Sequence, residues 1–403
     1  VKRLAQRPRP GWQRRLEDQG FHFHSIDPDG EDRAGQTERF LYWREDVAYE
    51  FGEAAIEHLY DVSCELHAMS VDLAGDLVRR GDLARLGLPV VAQSLVERSW
   101  RRGDPHLYGR FDFSWDGVAE PRLLEYNADT PTSIIETAVA QWNWLQDVHP
   151  GADQFNLLHE ALLARLGSIA RDRGLRSLHL AGLLDCQEDC GNLEYLLDLA
   201  VQAGLQASLI DMNDIGRTPQ GGFVDLDDRP IEACFKLYPW EWMAEEAFGA
   251  AALDAGTVWL EPAWKMALSN KALLALLWER HPGHPNLLPA FFSPEPLGRT
   301  PYVKKPLLSR EGANVEFVHD GVVALKTDGG YGAEGHVYQA AAPLPSFPAP
   351  ESSSWHGPLD AVHAVVGAWM VGDEAVGMAV REDVTPVTSN TAYFVPHFFR
   401  PGT

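Results

Sequence analysis

The segment from Arg110 to Glu136, RFDFSWDGVAEPRLLEYNADTPTSIIE, restricts this chain more than any other. Phe111, Phe113 and Trp115 alternate with Arg110, Asp112 and Ser114. Period two is the period of a β-strand, so the rings share one face and Arg110 and Asp112 the other. Asp116-Gly117 supplies a turn and Arg122 to Tyr126 a second strand, which predicts a hairpin in whose continuation Glu125 and Asn127 again share a face. Asp112, Glu125 and Asn127 then converge. Hard oxygen donors of this kind suit Mg²⁺, which takes one or two carboxylates and completes its octahedron with water and phosphate. The same residues also make two ordinary polar faces of a surface hairpin, and spacing alone does not separate the two readings.

Ser133 followed by Glu136 has the spacing of a capping box, and Ile134, Ile135, Ala138, Val139, Trp142 and Leu145 continue at helical intervals, so a helix is expected to start here. Its N-terminus, with the hydroxyls of Thr130 and Thr132 beside it, could receive a substrate carboxylate, or be no more than a well-capped helix end. Downstream, Lys271, Lys304, Lys305 and the loop DGGYGAEG offer cations and glycines of the sort that wrap a triphosphate, although neither GxxxxGK[ST] nor a strand-following GxGxxG occurs. Gln339 lies just beyond that loop, on a strand. Arg381 ends a strand, where it can reach a phosphate or pair with Glu382 or Asp383.

Around these motifs the chain reads as α+β / α/β. Asp46 to about Gly87 is expected to be mainly helical, with Ala54, Ile56, Leu59, Tyr60, Cys64, Leu66 and Met69 forming an apolar stripe. Leu178 to Leu184, a helix from about Asn192 to Ala203, Gln206 to Ile210 and Ile231 to Tyr238 make a βαβ-type lobe. A helix over Asn270 to Arg280 and short strands with glycine-rich connections follow. His281 to Pro301 and Pro343 to Pro358 are expected to be loops, the second a mobile one. The division expected is a helical scaffold over 1–104, a hairpin and capped helix over 105–150, an α/β substrate-side lobe over 151–245 and a nucleotide-side part over 246–403.

Several function classes drop out. The 403 residues carry a formal charge of −24, which repels nucleic acid and anionic lipid and attracts polycations, though acidity also serves plain solubility. The longest nearly uncharged apolar run, Ala361 to Gly372, falls short of the ~20 residues of a membrane span. Cys64, Cys186, Cys190 and Cys234 make no disulfide framework, which fits a reducing compartment and a cytoplasmic location; CxxxC at 186–190 lacks the second pair that a zinc site needs. The basic start, interrupted by Pro8, Pro10 and Trp12, reads as mature chain. Of 15 histidines only His22 and His24 are closely paired, and there is no HExxH or GxSxG.

RFDF, LLEYNADTPTSIIE, KLYPWEWM, EPAWKMALSNK, VKKPLLSREGANV, YGAEGHVYQA and VREDVTP, in that order, and more weakly RPGWQRRLEDQGFHFHS, give the chain a resemblance to the synthetase module of the glutathionylspermidine synthase family. That resemblance implies an ATP-grasp fold with permuted motif order, a pre-ATP-grasp-like lobe, and ATP- and Mg²⁺-dependent joining of a peptide-like acid to an amine such as a polyamine through an acyl phosphate. It implies Mg²⁺ ligands at Asp112, Glu125 and Asn127, and nucleotide contacts from Lys271, Lys305, Gln339 and the Arg310 to Gly312 loop. It also implies phosphate or transition-state arginines at Arg110 and Arg381, acid-side contacts at Thr130 and Thr132, and an amine-side acid at Glu188 or Asp189. No amidase module is expected ahead of Arg110. A nucleotide-binding scaffold without activity, or a ligase acting on peptide or protein termini, are the competing expectations, and the oligomeric state stays open.

Overall fold

The computed structural model describes residues 1–25, 41–348, 361–389 and 392–402. The chain opens with β1 (Lys2–Ala5), α1 (Trp12–Glu17) and β2 (Val47–Phe51), then α2 (Glu53–Arg80) and α3 (Val90–Arg102). The expected helix therefore begins only at Glu53: VAYEF, branched and aromatic, is a strand that pairs antiparallel with β1. α2 buries Ile56, Leu59, Val62, Leu66, Leu73 and Leu77, leaves Ala54 and Tyr60 of the expected stripe exposed, and stops at Gly81 with a φ of 72° after Arg79 and Arg80.

β3 (Tyr108–Ser114) and β4 (Arg122–Asn127) form the expected hairpin, with Arg110 opposite Asn127, Asp112 opposite Glu125 and a bulge after Asp112. A π-helical turn over Glu136–Ala140 runs into α4 (Gln141–Val148). Next come α5 (Leu158–Arg173), β5 (Ser177–Gly182), α6 (Gln187–Gln202), β6 (Gln206–Asp211), the small hairpin β7 (Gly216–Arg217) and β8 (Phe223–Val224), β9 (Ala233–Lys236), α7 (Trp240–Glu245) and β10 (Val258–Leu260). β10-β9-β5-β6 is a parallel sheet, the βαβ lobe read from the sequence.

α8 (Met266–Ser269) and α9 (Ala272–Arg280) lead to β11 (Ala290–Phe291), β12 (Tyr302–Pro306), β13 (Glu316–His319), β14 (Val322–Lys326) and β15 (His336–Ala340), an antiparallel sheet ordered β11-β15-β12-β13-β14. Then β16 (Ser346–Pro348), β17 (Ala361–Val371) and β18 (Glu374–Asp383) join the early hairpin in the order β19-β18-β17-β3-β4, with β19 (Tyr393–Val395) at one edge and β16 on β17. Part of the second expected loop is thus strand; its residues 349–358 lie outside the described residues. β20 (His397–Phe399) returns to pair in parallel with β2. Phe111 and Phe113 are fully buried, and Tyr126 stacks on Phe111 with centroids 3.8 Å apart, so the aromatic face of the hairpin is core and its polar face is left for a cleft.

Candidate active site

That polar face forms one wall of a cavity of about 420 Å³, and β12, β15 and the loop after β12 form the opposite wall. Arg110, Asp112, Glu125, Asn127, Thr130, Thr132, Lys271, Lys305, Arg310, Gly312, Gln339 and Arg381 all line it. Glu188 is not among the lining residues, although its chain neighbour Asp189 is.

Asp112 is the hub. Its Oδ1 accepts from Arg110 Nε at 2.9 Å, and its Oδ2 accepts from Arg381 Nη2 at 2.6 Å and Asn127 Nδ2 at 3.1 Å. Asn127 Nδ2 also donates to Glu125 Oε1 at 3.2 Å, and Glu125 Oε2 lies 3.0 Å from Lys271 Nζ. Arg381 turns to Asp112, while its strand neighbour Glu382 faces the opposite way and accepts from Arg3 and Tyr49; Asp383, two residues on, is engaged by Ser389. The same alternation separates the lysines of β12. Lys304 pairs outward with Glu316, while Lys305 Nζ donates to Leu124 O at 2.9 Å and Gln339 Oε1 at 2.8 Å. Gln339 Nε2 donates to Leu123 O, so both ends of that amide are engaged in holding Lys305 against β4.

Burial acts against the charge on Glu125, but Lys271 and Lys305 hold it well below the usual carboxylate range. Burial brings Lys305 down to about 8, against the pull of Glu125. Two carboxylates directly opposed across a hairpin repel unless positive charge lies beside them; Arg110, Arg381 and Lys271 supply it here and line the same cavity. Two carboxylates and one amide, all hard donors, facing ammonium and guanidinium groups across a cleft fit Mg²⁺ together with a polyphosphate.

Two sequence expectations are corrected. Ser133 is not a helical cap: its φ is 76°, its Oγ meets Tyr42 Oη at 3.2 Å, and Glu136 Oε1 accepts from Tyr42 Oη at 2.8 Å. The helix N-terminus is met by a protein group instead, since Ile134 N donates to Asn192 Oδ1. The loop DGGYGAEG is not among the lining residues and stands behind them, with Gly329 against Ala313 and Asn314, whose Oδ1 accepts from Tyr331 N at 2.7 Å. It supports the 310–314 loop, where Gly312, at a φ of 69°, approaches Thr388 so closely that a Cβ would stand 2.7 Å from its carbonyl oxygen. His24, within FHFHS, bonds to Ser25 and Glu17 and belongs to the aromatic cluster of Trp12 and Phe21.

Sequence reading missed a second polar layer. Lys236 Nζ, fully buried, donates to Asp129 Oδ1 at 2.7 Å, and Trp240 N donates to Asp129 Oδ2. Arg310 donates to Glu241 Oε1 at 2.6 Å and to Thr130 Oγ1 at 2.7 Å. A lysine in the apolar strand ACFK, inside the quoted KLYPWEWM motif, was the available signal. Asp189 and Glu311 also line the cavity. Burial first, then Glu188 and Glu311, pushes Asp189 up to about 7, and burial raises Glu188 as well.

A parallel-sheet lobe set beside a cleft between two antiparallel sheets is an ATP-grasp-like architecture. A glutathione synthetase-like effector from Globodera pallida has this fold, with a TM-score of 0.56 and 11% identity over 98% of this chain and 100% of that one. Residues 3–400 match the family described as glutathionylspermidine synthase preATP-grasp, and the chain belongs to that family. A Haemophilus influenzae protein provisionally named an acid–amine ligase is 42% identical over the full length of both chains. A trypanothione synthetase of Crithidia fasciculata is 26% identical over 82% of this chain, and a bifunctional glutathionylspermidine synthetase/amidase of Escherichia coli 25% over 86%. The chain spans 54% and 58% of those two longer proteins. No helix among the described residues is long and apolar enough to cross a membrane.

Proposed function

We propose that this chain uses ATP and Mg²⁺ to join a carboxylic acid to an amine as an amide. The observation that carries the reading is one cavity in which Asp112, Glu125 and Asn127 on the β3–β4 hairpin face Lys271 and Lys305, with Arg110 and Arg381 between them. Bound there, Mg²⁺–ATP would supply the phosphoryl group that turns the acid into an acyl phosphate. Asp112, Glu125 and Asn127 would hold the cation, Lys271, Lys305 and the Arg310–Gly312 loop the nucleotide, with Gln339 orienting Lys305. Arg110 and Arg381 would neutralise charge on the transferring group.

The acid would lie by Thr130 and Thr132, whose positions are held by Arg310 Nη1 and, through the Thr132 carbonyl, by Arg110 Nη1. A peptide-like acid suits that polar strip. The amine would enter beside Glu188, Asp189 and Glu311, three carboxylates suited to a polyamine or another cationic amine. Asp189, held near 7, is placed to take the proton that the attacking nitrogen sheds as the acyl carbon–oxygen bond breaks and phosphate leaves. Scaffold, metal hairpin, substrate lobe and nucleotide side then follow the division near residues 104, 150 and 245. The test is Mg²⁺-dependent ADP release across a panel of peptides, small acids and polyamines. Turnover requiring both an acid and an amine is expected, and nucleotide binding without turnover on any pair would make the protein a nucleotide-binding scaffold.

A further inference from the structure

On the side of β4 turned away from the cavity, three side chains from distant parts of the chain meet. His67 comes from α2, His106 from the connection into β3, and Asp373 from the turn between β17 and β18. A ring nitrogen from each histidine and a carboxylate oxygen lie within 4.8 Å of one another, and among the described residues no other set of three His, Cys, Asp or Glu donors converges in this way. His67 Nε2 is 3.1 Å, and His106 Nε2 3.5 Å, from the same Asp373 Oδ1. A tetrahedral cation with nitrogen and oxygen ligands at about 2.0–2.2 Å keeps those ligand atoms about 3.3–3.5 Å apart. Two edges of the triangle already have nearly that length.

Three further features fit a cation. His67 Nδ1 bonds Tyr126 Oη at 2.8 Å, the outer contact that orients a metal-binding imidazole. The His106 ring lies stacked on that of His67, with centroids 5.8 Å apart, and its Nε2 stands at the far limit of a hydrogen bond from Asp373, a weak contact that a shared cation would replace. Access is open as well, since the Asp373 side chain is 78% exposed and His106 lines a surface cleft with Asp104 and Arg165.

We propose that His67, His106 and Asp373 form a second cation site, which takes Zn²⁺ or another borderline divalent transition metal and leaves a fourth position to water. Two imidazoles and one carboxylate select against Mg²⁺. The ion would tie α2 to the β17–β18 turn and the start of β3. Through Tyr126 it would brace the strand that carries Glu125 and Asn127 on its other face.

The experiment is calorimetric titration of the chelator-treated full chain with Zn²⁺ in saturating Mg²⁺, with Co²⁺ absorption reporting tetrahedral nitrogen ligation. One equivalent is expected to bind. His106→Ala and Asp373→Ala, both at partly or well exposed positions, should each weaken it by ~10-fold or more, while Asp112→Ala should leave it intact. No saturable Zn²⁺ binding, unchanged affinity in both variants, or loss in Asp112→Ala each overturns the proposal. None of these readouts depends on ligase turnover, so the site stands or falls apart from the function proposed above.

Discussion

Lys305 gives the proposed nucleotide site a pH dependence that can be worked out in advance. The residue is 8% exposed, and burial, opposed by Glu125 and reinforced by Lys271, lowers its pKa from 10.5 to about 8. At about pH 7 roughly 90% of the free protein carries the charge, and at about pH 9 roughly 10% does. If the charged form is the one that holds phosphate, affinity for a non-hydrolysable ATP analogue with Mg²⁺ falls about tenfold over that interval, ~1.4 kcal/mol. Stability moves the other way. With the folded pKa below the unfolded one, the unfolded chain binds more protons between about 8 and 10.5, so the contribution of Lys305 to stability is lost as pH falls through 8 and regained as it rises. The assay is calorimetry at constant ionic strength for wild type, Lys305→Arg and Lys305→Met. The Arg variant keeps its charge and should lose the tenfold fall that Lys305 adds in this range; the Met variant should be weaker and lose it too. Glu136, pushed up to about 8 by burial and then by Glu188, is common to all three proteins and cancels in the comparison. A wild-type slope no steeper than that of Lys305→Met would refute the reasoning.

Three more outcomes are expected. Arg110→Ala and Arg381→Ala should each lower turnover by ~10²–10³ while the fold survives; wild-type rates with a productive acid and amine would remove both arginines from the mechanism. Lys236→Met strands Asp129, 1% exposed, with only Trp240 N and a guanidinium 4.0 Å away. It should cost ~3–5 kcal/mol in urea unfolding, with much of that restored when Asp129→Asn is added; an unshifted midpoint for the single variant would show that the pair is not needed. Gly312→Ala forces a Cβ into the left-handed region against Thr388 O and should displace the loop bearing Arg310, weakening nucleotide binding. Unchanged affinity would mean that this loop does not touch the nucleotide.

Which parts were legible in advance follows from how local the underlying physics is. Alternation along β3 and β4 depends on neighbours in sequence, so the hairpin and the convergence of Asp112, Glu125 and Asn127 could be read directly, as could the parallel lobe. The capping box failed because Ser133 adopts a positive φ and Tyr42, 91 residues earlier, takes its hydroxyl and the Glu136 carboxylate. No local pattern holds that information. Gln339 and Arg381 were singled out without their partners, which lie on strands paired only in the folded sheets.

The order of residues along the chain set which side chains share a face, where the glycines permit tight approach, and which charges stand two apart on a strand, because strand geometry repeats every second residue. Long-range pairing chose what those faces meet. β17 places Val366 beside Phe113, β12 brings Lys305 under Leu124, and α2 delivers His67 to Tyr126. Such contacts arise from burying apolar surface shared by distant segments, a gain that no short stretch of sequence contains.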